Sequence, residues 1–110
     1  MTYIREQTST ERFPDQFKRV GDEVYERKLA QKFEFTEFNT NAVPTYTQFV
    51  LSKWEETPLG QFVIEHGVDH FFLREATIEN PFLYKMAIVT YMPSKRWTEF
   101  YLKFLDNTAG

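Results

Sequence analysis

The strongest constraint in this chain is the run Phe82–Met92, FLYKMAIVTYM, which is apolar almost throughout. An antiparallel strand with one wet face alternates apolar and polar residues. This run does not. Taken as a strand, it places Leu83, Ala87, Val89 and Tyr91 on one face and Phe82, Tyr84, Met86, Ile88 and Met92 on the other. Both faces therefore need cover. The run breaks at Pro93-Ser94-Lys95-Arg96, and Phe100, Leu102 and Phe104 then alternate with Glu99, Tyr101 and Lys103. The alternation predicts a helical turn at 94–97 and a strand over 98–105, hairpinned back onto 82–92. Trp97, Phe100, Tyr101 and Phe104 also fit a 3.6-residue period, so a helix over 94–105 is the competing reading.

The remaining chain has to supply that cover. Residues 1–12 carry charge and Ser/Thr without apolar period, and read as a loose arm. Phe13, Phe17, Val20 and Val24 have helical spacing, which predicts a short helix at 14–20. Gly21-Asp22 interrupts that spacing, and alternatively turns one strand into another. Leu29–Phe38 reads as a strand with Phe33 and Phe35 on one face and Lys32, Glu34 and Thr36 on the other. Thr45–Trp54 reads as a helix with Tyr46, Phe49, Val50 and Trp54 along one side. A second helix comes at once. Thr57 suits its cap and Pro58 its first position, while Leu59, Phe62, Val63 and His66 line one face. Gly67 reads as its left-handed stop. Phe71–Ile78 reads as a strand closed by Asn80-Pro81.

These elements give one α+β domain over 13–105, with an N-terminal arm at 1–12 and a tail at 106–110. The architecture expected is two-layered: an antiparallel sheet of about four strands with helices on one face, with a ferredoxin-like order as the candidate topology. Two helices cover one sheet face only. The other face then exposes an apolar patch that marks an interaction site. A homodimer joined through Phe82, Tyr84, Met86, Ile88 and Met92 is the first reading. In the second, segment 13–28 folds back over that face.

Composition narrows the chemistry. In 110 residues there is no cysteine, which excludes disulfides, thiolate metal sites and cysteine nucleophiles and fits a reducing cytoplasm. A net charge of −3 gives no support for sequence-independent phosphate binding. No apolar run reaches a membrane span, and the N-terminus lacks an apolar signal core. The chain does hold twelve Phe, six Tyr and two Trp, a heavy aromatic load for a core, a subunit contact or a ligand groove.

No catalytic signature stands out. Ser9, Ser52 and Ser94 lie outside any nucleophile elbow, and no Gly-rich phosphate loop occurs. His66 and His70, with Glu65 and Asp69 beside them, invite a metal reading. A helix ending at Gly67 separates the two rings and no third ligand is evident, so neither a metal nor another cofactor is expected. A pocket lined by His66, His70, Phe62 and Phe72, binding a small apolar ligand in a dimeric protein or enzyme, is the alternative to a non-enzymatic binding role. Lys85, Lys95, Arg96, Trp97 and Lys103 mix bases with aromatics, as single-stranded nucleic-acid platforms do. The local excess of positive charge is small, which disfavours that role.

At Thr57-Pro-Leu-Gly-Gln-Phe-Val-Ile-Glu-His66, and again at Lys85–Phe104, the chain resembles small uncharacterised proteins of large tailed marine phages, chiefly cyanophages. The likeness covers about a third of the chain. It departs at Ser94-Lys95-Arg96-Trp97, where those proteins carry an acidic, alanine-containing turn. The resemblance implies a phage or marine microbial origin, an accessory role in the host cytoplasm with a host protein as partner, and no catalytic residues. It also implies a strand over 98–105.

Overall fold

The computed structural model describes residues 4–7 and 15–105. The chain forms β1 (Arg5–Glu6), β2 (Phe17–Val20), β3 (Glu23–Thr36), α1 (Val43–Glu56), α2 (Pro58–His66), β4 (Val68–Ala76), β5 (Leu83–Pro93) and α3 (Ser94–Phe100). A π-helical turn, Tyr101–Leu105, continues α3. The five strands make one sheet in the order β1-β4-β5-β3-β2.

The α+β class and the helix layer are as expected, but the finer topology differs. The sheet has five strands, and β1 runs parallel to β4, with Arg5 beside Phe71. Three strands precede the first long helix, so the order is not the βαββαβ of a ferredoxin-like fold. Part of the expected arm is thus a sheet edge; the rest of 1–12, apart from residues 4–7, lies outside the described residues, as does the tail at 106–110.

The helix expected at 14–20 is instead strand β2, with its first residue also outside the described ones. Four residues form less than one self-supporting helical segment. Paired with Glu23–Glu26, they satisfy their backbone in a ladder. Gly21, at φ +62°, is the first of two loop residues in that hairpin, a position where a side chain is strained.

Residues 98–105 are helical, where a strand was expected. A hairpin strand after β5 needs a free flank on β5. Both flanks are taken, by β3 along Tyr25–Thr36 and by β4 along Val68–Ala76. The chain therefore turns upward and packs α3 on the sheet, burying Trp97 and Phe100 and leaving Leu102 60% exposed. The Trp97 indole N–H donates to the carbonyl of Glu26 at 2.8 Å, pinning α3 over β3.

Helix α2 has the expected limits. The Thr57 hydroxyl accepts from the Gly60 N–H (3.0 Å) and donates to the Trp54 carbonyl in the last turn of α1 (2.6 Å), so one residue ends one helix and starts the next. A Cβ at Gly60 would collide with the Trp54 carbonyl, which is why the two helices can join so tightly. Gly67 is extended (φ −99°, ψ 166°) and not left-handed; the chain passes directly into β4. In α1 the buried positions are Val43, Thr47, Leu51 and Trp54, so the stripe is rotated from the expected one and turns Tyr46 and Phe49 outward.

The main core lies between sheet and helices: Phe35, Leu51, Trp54, Phe62, Val63, Phe72, Met86, Ile88, Met92, Trp97 and Phe100. A smaller cluster, Phe71, Val89 and Tyr91, sits on the opposite sheet face. Truncating Phe100 to Ala is expected to cost about 3–5 kcal/mol in urea unfolding. Leu102→Ala should fall within about 0.5 kcal/mol of the parent. Similar losses at both positions would indicate a strand.

Candidate functional site

The two histidines part company at the α2–β4 junction. The His66 ring lies 4.6 Å from the Phe62 ring on α2, tilted 59° to it, with Glu65 at 3.8 Å. His70 lies on β4, where its Nδ1 is 2.7 Å from the buried Thr90 hydroxyl of β5. That hydroxyl donates to the Val68 carbonyl (3.4 Å), so Nδ1–H is the donor to Thr90. A Cβ at Gly67 would strike the Thr90 hydroxyl and come within 3.1 Å of His70 Cε1; a glycine is needed for this close approach. Phe62 and Phe72 are core residues. The larger cavities are lined by other side chains. Among the described residues no group of three His, Asp or Glu side chains converges on one point.

Burial pulls the His70 pKa below its ordinary value of 6.5, with the Glu55 carboxylate acting in the opposite sense.

Of the residues expected at a dimer face, Phe82 stays 38% exposed and the others turn toward their own chain. Met86, Ile88 and Met92 are buried under the helices of their own chain, and Tyr84 stacks on Phe35 at 5.5 Å. Three helical elements, not two, cover this face, because α3 joins α1 and α2. Part of segment 13–28 does cover a sheet face, but not the face of Met86 and Ile88 expected in the second reading; it covers the Tyr91 face. There the Tyr91 hydroxyl donates to the Asp15 carbonyl, and Lys18 lies 4.7 Å over the Tyr91 ring and pairs with Asp69. Arg5 lies 5.5 Å over Phe71.

The basic–aromatic set is dispersed. Trp97 is buried, Arg96 is bound to Glu99 at 3.0 Å, and Lys85 stands on the sheet face away from α3.

An aromatic surface lies open; it includes Phe82, expected at a dimer face, and Tyr46 and Phe49, expected along one side of a helix. Phe38, 73% exposed, meets Phe82 at 5.1 Å. Tyr46 bridges Phe35 (4.9 Å) and Phe49 (6.0 Å), and Phe49 is itself 55% exposed. This ridge runs into a groove of about 560 Å³ lined by Phe33, Phe49, Val50, Trp54, Leu59 and Phe104, with Gln31, Lys53, Thr57 and Pro58 completing it. Its floor is fixed by the Trp54 indole N–H, which donates to Gln31 Oε1 at 2.7 Å and ties α1 to β3. Lys53 lies 5.8 Å over the Phe49 ring at the rim. A second, more polar trough of about 400 Å³ crosses the other sheet face, with Leu73 and Ala87 in its floor and Lys32, Glu34, Glu75 and Lys85 around it.

No family model matches the chain, and no curated protein and no solved structure matches it. No helix among the described residues is long and apolar enough to cross a membrane.

The His70 environment makes stability pH-dependent. The folded ring binds a proton less readily than the unfolded one, so its contribution is complete above 6.5 and is lost as pH falls below that value. The gap in Tm between the parent and His70→Gln is expected to narrow on acidification through this range. Parallel profiles for the two proteins would contradict it.

Proposed function

We propose that this chain is a non-enzymatic interaction protein that holds an apolar segment of a partner protein in the groove between α1, the start of α2, β3 and the C-terminal helical turn. The observation that carries this reading is the exposed aromatic ridge leading into an apolar groove. Exposed aromatics in contact with one another on so small a protein are costly to leave in water, and such patches mark partner surfaces. The groove suits aliphatic or aromatic side chains, since its polar members Gln31 and Thr57 already bond to Trp54 and Gly60. The resemblance of Thr57–His66 and Lys85–Phe104 to marine phage proteins supports an accessory role, with a host protein as the partner.

Selection of short displayed peptides on the immobilised protein tests this reading. Binders are expected to carry spaced aliphatic or aromatic residues and to lose about tenfold or more in affinity on Phe49→Glu, while Lys85→Glu on the opposite face leaves them unchanged. No binders, or binders indifferent to Phe49→Glu, would contradict it.

A further inference from the structure

Among the described residues, strand β3 is paired on one flank along its length but on the other only at its start. Glu23–Glu26 ladder with β2, and the Arg27 N–H donates to the Gln16 carbonyl. Beyond that point no described residue pairs with this flank. A bulge at Ala30 separates the paired start from a regular stretch, Gln31–Thr36. The Glu37 N–H donates to the Phe82 carbonyl at 3.0 Å, toward β5. By antiparallel alternation, the backbone N–H and C=O groups of Thr36, Glu34 and Lys32 point the other way, to the flank that no described residue pairs with beyond Arg27. Their side chains are exposed. An edge of this kind is a template for another strand.

We propose that two copies of this chain pair antiparallel along this edge, on a twofold axis passing through Phe33. Hydrogen-bond direction alternates along β3, so outward-facing residues must oppose outward-facing residues, and only registers centred on a residue are possible. A register centred on Lys32 sets lysine against lysine. One centred on Glu34 sets glutamate against glutamate. The register centred on Phe33 sets Lys32 against Glu34 of the partner subunit, and Glu34 against the partner's Lys32, in both hydrogen-bonded pairs flanking the axis. Opposite charges directly across a ladder stabilise it and like charges oppose it. A lone lysine on an edge deters pairing. Lys32 followed two residues later by Glu34 instead becomes self-complementary under a twofold. The pairing joins the two sheets into one, and does not depend on what the aromatic groove holds.

Sedimentation equilibrium on the whole chain is expected to show a dimer. Lys32→Glu alone, or Glu34→Lys alone, should weaken it about tenfold, and the double exchange should restore it. The chain has no cysteine, so Phe33→Cys gives a second readout. At the axis the two sulfurs fall within bridging distance, and mild oxidation should yield a covalent dimer that Lys85→Cys does not. A monomer at the highest attainable concentration overturns the proposal. So does a dimer that both single exchanges leave intact, or one that cross-links as readily through position 85.

Discussion

The rest of the structure depends on β5 being buried on both faces within one chain. Its Met86, Ile88 and Met92 side chains meet the helices, while Val89 and Tyr91 meet the short cluster on the other side. Each large apolar side chain taken fully from water contributes roughly 1.5–3 kcal/mol before entropy is counted. A strand with that much to bury on two sides belongs at the sheet centre. Once it is there, both β3 and β4 run antiparallel to it, and therefore parallel to each other. The segment between them has to cross a sheet face, and α1 and α2 are that crossing.

The central position of β5 also decides the course of the C-terminal segment. With both flanks occupied, that segment can only climb onto the sheet. In doing so it completes the helix layer that two helices alone would leave short. The same closure sets the functional surfaces. The π-helical turn after α3 brings Phe104 to the edge of α1 and α2, and the groove is the gap that remains between them. The rotation of α1 that puts Thr47 in the core, where its hydroxyl accepts from Arg74 (2.8 Å) and donates to the Val43 carbonyl (2.7 Å), is what turns Phe49 to the groove rim.

Local signals were readable where they agreed with each other. Thr57, Pro58 and the Phe62–Val63 stripe mark α2 to the residue, and the length of the Phe82–Met92 run marks a strand. Elsewhere the deciding information was not local. Over Thr98–Phe104 the polar residues Glu99 and Lys103 satisfy both periods, and only the occupied flanks of β5 settle the choice. The two residues of β1 carry no pattern to find. The buried threonine of α1 looks like a surface position until Arg74 arrives from β4. His66 and His70 are close in sequence, but an extended Gly67 sends one ring toward Phe62 and the other toward Thr90. Both faces of β5 do need cover, but neither is a surplus: α3 covers one side and Asp15 and Lys18 the other.

Residue-resolved hydrogen exchange of the dilute protein tests most directly whether a single chain buries this strand. Burial of both faces within one subunit predicts that the Met86–Tyr91 amides are the slowest to exchange and that dilution leaves their rates unchanged. Rapid exchange there, or protection that fades as the protein is diluted, would show that the strand needs a second molecule to cover it.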